Sequence, residues 1–106
     1  YRQYTPDFVL PNCIIIETKG LFTVADRRKH LCIQQQHPKL DIRFVFTSSR
    51  RKLQKGSKTT YGMWCEKNNL KYHDRIIPED WLKERKKKQH PVFIEFTGKK
   101  IIRRYT

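Results

Sequence analysis

The run Phe8-Val-Leu-Pro-Asn-Cys-Ile-Ile-Ile-Glu-Thr-Lys19 leaves the chain one compact solution, two short β-strands folded back on each other about a turn. Phe8-Val9-Leu10 and the stretch from Ile14 to Lys19 are rich in apolar and β-branched residues, and Pro11-Asn12 between them is a turn signal. Side chains alternate faces along a strand, so Ile15, Glu17 and Lys19 share one face while Ile14, Ile16 and Thr18 take the other. Charges set among such strands cost free energy unless they are paired or bind a metal. Asp7, Glu17 and Lys19 therefore need a chemical account.

Register decides whether the three meet. A three-residue connection, Pro11-Asn12-Cys13, sets Leu10 opposite Ile14 and Asp7 opposite Glu17, with Cβ atoms roughly 5 Å apart. A two-residue connection would set Asp7 opposite Ile16, on the wrong face. Two carboxylates that close repel, which raises one pKa or recruits a divalent cation. Mg²⁺ and Mn²⁺ prefer such hard oxygens, and Mg²⁺ is commonly held by one or two carboxylates plus waters and substrate phosphate. Lys19 could then help deprotonate a water and neutralise charge on the phosphate. The same spacing also fits a cross-strand ion pair with no further role, worth a few tenths to about 1 kcal/mol.

The charge balance favours a polyanionic partner independently of that site. Lys and Arg number 24 against 10 Asp and Glu, a net charge of +14, and the pI is about 10.1. An anionic membrane surface is the weaker alternative, because no amphipathic helix with a large apolar face accompanies the charge. No stretch of about twenty apolar residues and no charged-then-apolar leader is visible, which argues against a membrane partner. The odd, scattered Cys13, Cys32 and Cys65 suit reduced thiols in a cytoplasmic protein better than disulfides or zinc. The four histidines show no metal-ligand spacing and receive no catalytic role. With 106 residues the chain is expected to form a single domain, 1–106, with a modest core that a dimer would help to stabilise.

Along the rest of the chain, Gly20 breaks the strand and Ala25 to Gln36 reads as a helix ended by Pro38, with Asp26 suiting its N-terminal dipole. Arg27, Arg28 and Lys29 spread around that helix as candidate phosphate contacts. Asp41-Ile-Arg-Phe-Val-Phe46 predicts a strand at the sheet centre. The loop after it carries Arg50, Arg51, Lys52, Lys55 and Lys58, which we read as a surface for the DNA backbone and not for base edges. Thr60 to Lys67 predicts a short helix with Trp64 in the core and Asn68-Asn69 closing it, and Leu70-Lys-Tyr72 a strand. Ile77-Pro-Glu-Asp-Trp-Leu-Lys83 predicts a helix with Pro78 at its first position and Trp81 and Leu82 packed inward. Val92 to Phe96 and Lys100 to Arg103 predict a second hairpin around Gly98.

Pro6-Asp7 followed by Glu17-Thr18-Lys19 resembles the PD-(D/E)xK nuclease motif, weak by itself. The flanking blocks Tyr4-Thr-Pro-Asp-Phe-Val-Leu-Pro-Asn12, Asp26-Arg-Arg-Lys-His-Leu31, Gln36-His-Pro-Lys-Leu-Asp-Ile-Arg43, Tyr61-Gly-Met-Trp-Cys-Glu-Lys67 and Ile77-Pro-Glu-Asp-Trp81 are similar to the phage endonuclease I family, which resolves four-way (Holliday) DNA junctions. The likeness covers about residues 1–84, leaving 89–106 as a divergent basic tail. It implies an α/β fold, a central mixed β-sheet flanked by helices in the restriction-endonuclease manner, with the N-terminal helix and first strand missing. It implies Asp7 and Glu17 as metal ligands with the Thr18 carbonyl, Lys19 as the catalytic lysine, Mg²⁺ as cofactor with Mn²⁺ as a substitute, and branched DNA as substrate. It also implies a strand-exchanged homodimer and, for a phage protein, the cytoplasm of the infected host.

Two departures bear on this. The family's further catalytic Glu lies on an upstream helix, and this chain starts with Tyr1, six residues before Asp7, so we expect a segment of a longer precursor or an incomplete reading frame. A module that binds junctions without cutting them is the alternative that follows. Cys13 stands where the family's turn favours Gly, predicting a strained or re-registered turn.

Overall fold

The computed structural model describes residues 4–85, so the hairpin expected around Gly98 lies outside the described residues. The elements run β1 (Phe8–Val9), β2 (Ile15–Lys19), α1 (Val24–Gln36), β3 (Ile42–Phe46), α2 (Tyr61–Lys67), β4 (Tyr72–Asp74) and α3 (Glu79–Lys83). Among the described residues the sheet has four strands in the order β1-β2-β3-β4. β1 is antiparallel to β2, whereas β2, β3 and β4 are mutually parallel. Parallel neighbours need a crossover long enough to return the chain to the same end of the sheet. α1 and then the loop with α2 supply those returns, giving the mixed α/β architecture that the sequence predicts.

The consecutive isoleucines of β2 follow from its place between two layers. Ile14, Ile15 and Ile16 are all fully buried, because helices cover both faces of the strand. Ile15 joins Tyr4, Ile33 of α1 and Ile42 on one face. Ile14 and Ile16 meet Val45 and Trp81 of α3 on the other. Each such side chain contributes about 1.5–3 kcal/mol of burial. Phe44 and Phe46 extend the first face into an aromatic cluster with Phe22, Tyr61, Trp64 and Cys65. Gly62 is required there by contact: a Cβ would come within 2.9 Å of the Tyr72 ring. β3 is buried along its whole length, the central strand that its composition predicts, and Trp64 is core.

The hairpin adopts the three-residue connection. Leu10 donates to the Ile14 carbonyl at 2.9 Å and Cys13 to that of Leu10 at 2.8 Å, and Phe8 faces Ile16 across the strands. Cys13 sits at φ 72°, a left-handed conformation that costs a non-glycine residue roughly 1–2 kcal/mol. The turn keeps its register and carries the strain. Cys13→Gly is therefore expected to raise stability by about 0.5–1 kcal/mol, part of the relief being offset by the more flexible unfolded chain. A shift of the urea midpoint with unchanged slope checks it.

Four local expectations are corrected. α1 starts at Val24, with Thr23 as N-cap in a capping box with Asp26, so Asp26 acts through hydrogen bonds as well as through the dipole. β4 is Tyr72–Asp74, later than Leu70 to Tyr72, because its register is set by Phe44 facing Tyr72 and Phe46 facing Asp74. Pro78 is the N-cap of α3, one position before the helix. Trp81 packs inward, but Leu82 is 52% exposed: a single turn of helix offers only one side chain to the sheet.

Candidate active site

Extending the β1–β2 register by one residue brings Asp7 opposite Glu17. The two carboxylates are held differently. Asp7 is exposed, and its Oδ2 accepts from the Thr18 amide at 2.9 Å and from the Thr18 hydroxyl at 3.0 Å. Pro6, the next residue toward the chain start, has no amide for the ladder, and the Asp7 side chain takes up the β2 edge donor there. Glu17 is buried and accepts a hydrogen bond at Oε2 from the Tyr4 hydroxyl.

Burial raises the Glu17 pKa most. The Tyr4 hydrogen bond lowers it, Asp7 raises it, and Lys19 and Lys29 lower it, with a net upward shift. The influence of Asp7 on Glu17 is the electrostatic signature of two acids facing one site. Burial and the adjacent Glu17 also push the Tyr4 hydroxyl far above its usual range, so it remains a donor.

Lys19 lies on the Glu17 face and pairs with Asp26 Oδ1 at 3.4 Å, both groups largely shielded. The cross-strand ion pair among Asp7, Glu17 and Lys19 does not form: the lysine is drawn to the N-terminus of α1. Burial disfavours the Asp26 anion, but the Thr23 amide and hydroxyl and then Lys19 outweigh it, and its pKa is lowered.

Among the described residues no group of three or more His, Cys, Asp or Glu converges to hold a metal. The pair still fits a hard cation. Within the described residues, Oδ1 of Asp7 and Oε1 of Glu17 make no hydrogen bond, and two carboxylates suffice for Mg²⁺ when waters complete its shell.

The candidate phosphate contacts separate by exposure. Arg28, Lys29, Arg50, Arg51, Lys52, Lys55 and Lys58 are exposed. Arg27 is half-buried, its guanidinium donating to the Phe22 carbonyl at 2.7 Å, so part of its charge serves the loop before α1. Lys29 lies 5.8 Å over the Tyr4 ring, next to the Glu17 partner. The basic loop is tied down by the Lys52–Thr60 bridge and by Leu53 accepting its place against the aromatic cluster.

Sequence reasoning missed Tyr4, Asp26 and His30. A buried tyrosine hydroxyl needs a partner, which for Tyr4 is a usable signal; the other two depend on how α1 crosses the sheet. His30 packs edge-on against Tyr4 and Phe44, with ring centroids 5.8 and 4.9 Å away. Among the described residues neither ring nitrogen has a hydrogen-bond partner. Burial, aided by Lys29 and Lys19 and opposed by Asp26 and Asp7, lowers its pKa from 6.5 to about 4.

A histidine held neutral in the fold and protonated when unfolded makes stability fall with pH, here between about 6.5 and about 4. The loss is of the order of 3 kcal/mol. Glu17, with its raised pKa, works in the opposite sense, favouring the fold at low pH and losing that contribution as pH rises through its folded value. His30→Phe is expected to flatten the acid side of the profile and to lift stability at pH 7 by about 1–3 kcal/mol through loss of two unpaired buried nitrogens. Urea titrations at pH 7 and pH 5 measure both.

A family model described as phage endonuclease I matches residues 1–100. The chain is 61% identical over 86 residues to Endonuclease I of Escherichia phage T7, covering 81% of this chain and 58% of that protein. It is 56% identical over 101 residues to Endodeoxyribonuclease 1 of Enterobacteria phage T3, covering 95% of this chain and 65% of that protein. The chain thus spans less than two thirds of the length of these curated relatives. With the opposed acids and the Glu-Thr-Lys strand in place within the matched residues, the chain belongs to the phage endonuclease I family.

Proposed function

We propose that this chain is a single nuclease domain of a structure-selective endodeoxyribonuclease that resolves four-way and other branched DNA junctions by Mg²⁺-dependent phosphodiester hydrolysis. The observation that carries the reading is the facing of Asp7 and Glu17 across β1 and β2, each with one carboxylate oxygen left over among the described residues, beside Lys19. The names of the T7 and T3 proteins support nuclease chemistry, and a net charge of +14 supports a DNA substrate.

Asp7 and Glu17 would hold Mg²⁺, or Mn²⁺ in its place, with the Thr18 carbonyl as a further ligand. When bound, the ion supplies a water of lowered pKa and charge for the phosphate oxygens. The protein's own part is positional and electrostatic. The Thr18 amide and hydroxyl orient Asp7, and Tyr4 orients Glu17. Lys19 faces the charge that develops on the phosphoryl oxygens and steadies the attacking water. Arg28, Lys29 and the loop bearing Arg50, Arg51, Lys52, Lys55 and Lys58, with Arg27 in part, bind backbone phosphates without reading bases. Two such sites in a strand-exchanged homodimer would cut two strands of a junction, in the cytoplasm of the infected host.

A second reading is a junction-binding module that does not cut, favoured by the convergence of only two acids among the described residues. The two separate on one assay, cleavage of a four-way junction and of its linear duplex arms with and without Mg²⁺. Metal-dependent cutting confined to the junction is expected. Tight junction binding with intact strands at high protein concentration would leave the binder.

A further inference from the structure

Because β2, β3 and β4 are parallel, their C-terminal ends meet along one edge of the sheet, with Lys19, Phe46 and Asp74 level across it. Ligands of α/β sheets bind in the crevice outside those strand ends. Here the crevice is a hollow of about 450 Å³ with Thr18, Lys19, Thr47 and Arg75 among its walls. A second hollow of about 380 Å³ adjoins it, lined by Thr47, Ser48, Arg50, Asp74 and Arg75. Arg75 belongs to both.

Arg75 is held there against its own backbone preference, at φ 69°. Its amide donates to the Phe46 carbonyl at 2.7 Å and the next amide, of Ile76, to Asp74 at 2.8 Å, so the end of β3 locks the bend. The adjacent carboxylate is occupied: Asp74 accepts from the Ser49 amide at 3.0 Å and the Ser49 hydroxyl at 3.1 Å. Among the described residues the Arg75 guanidinium has neither ion pair nor hydrogen bond. A strained residue that carries an exposed, unpaired cation into a crevice already lined by Lys19 and Arg50 is arranged for an anion.

We propose that Arg75 seats a DNA backbone phosphate flanking the one that meets Asp7, Glu17 and Lys19. The inference rests on the nuclease reading above for the identity of the anion. Lys19 and Asp74 lie two strand spacings apart, roughly 10 Å between backbones, which leaves room for the two cations to take neighbouring phosphates of one strand. The planar fork of an arginine suits two-point contact with phosphate oxygens. This contact aligns the strand across the ends of β2 to β4 and carries no sequence preference.

The test compares the full-length protein with its Arg75→Gly, Arg75→Gln and Arg75→Lys variants, measuring junction binding in EDTA as a function of salt and cleavage in Mg²⁺. Arg75→Gly relieves the backbone, so its melting temperature is expected to equal or exceed that of the wild type. Its log Kd against log salt slope is expected to fall by about 0.9, narrowing the wild-type advantage about 3.5-fold between 50 and 200 mM salt. Arg75→Gln behaves alike and Arg75→Lys regains most of the slope. Slopes that coincide with wild type, while Mg²⁺-dependent cutting persists, overturn the phosphate seat and leave the nuclease reading standing. A reduced slope in a protein that never cuts upholds the seat and removes the enzymatic reading. A wild type that binds no DNA removes both.

Discussion

Lys19→Ala is expected to slow metal-dependent junction cleavage by about 10²–10³-fold, the cost of removing one preorganised charge from a developing anion. The fold is expected to survive it. Among the described residues the one ion pair of Lys19 is with Asp26, at 3.4 Å, a contact worth about 1 kcal/mol or less. Asp26 retains its capping-box bonds, accepting from the Thr23 amide at 3.1 Å and donating its own amide to the Thr23 hydroxyl at 3.1 Å. Single-turnover cleavage at saturating protein, together with a thermal melt, separates the chemical defect from unfolding. Asp26→Asn gives the matched control: it removes the lysine's partner and not the lysine, and a far smaller loss is expected. Equal losses in the two variants would mean that Lys19 matters through α1 and not through the phosphate.

The largest stability effect is expected at Arg43, a charge buried on the face of β3 that α3 covers. Its side chain reaches Asp41 through Nε and Nη2, both at 2.8 Å. It reaches Glu84 through Nη1 at 2.6 Å and Nη2 at 2.8 Å. The guanidinium also lies 5.2 Å over the Trp81 ring. Burial alone would disfavour the charge, but the hydrogen bonds that Arg43 donates to Glu84 and Asp41 outweigh it and raise the pKa above the usual arginine value. Asn12 completes the clamp, donating to the carbonyls of Trp81 at 2.8 Å and Glu84 at 3.2 Å, so that turn, β3 and the end of α3 are fastened together.

Arg43→Ala is expected to destabilise the protein by about 3–5 kcal/mol, since two carboxylates lose their counter-charge in a poorly hydrated site. Arg43→Met, which keeps the stem against Trp81, is expected to cost less. Denaturant titration followed by Trp81 fluorescence should show α3 loosening first. A loss under 1 kcal/mol would mean that Asp41 and Glu84 hydrate freely once the arginine is gone.

The β1–β2 hairpin was legible in outline. The sidedness of Lys19 follows from a period of two, and turn chemistry narrowed the connection to two registers; the structure chose the three-residue one, which sets Asp7 opposite Glu17 and leaves the strain at Cys13. The central position of β3 was legible too, because a strand buried on both faces must be apolar and β-branched or aromatic. The placement of β4 and the exposure of Leu82 were not. Both depend on where a short element docks against a partner far away in sequence, and a single helical turn carries too little pattern to specify its buried side.

Local sequence, then, determined which acids could face each other, since alternation and turn length act between near neighbours. Tertiary structure alone decided that Tyr4 would orient Glu17, that Asp26 would hold Lys19, that Arg43 would be clamped from two sides and that Arg75 would stand at the same crevice as Lys19. Arg43 meets Glu84 and Arg75 stands near Lys19 through parallel strand pairing and a helix returning across the sheet, contacts that arise from the closure of long loops and leave no periodic trace in the chain. Tyr4–Glu17 and Lys19–Asp26 are nearer in sequence, but they depend on where the approach to β1 and the start of α1 lie against β2.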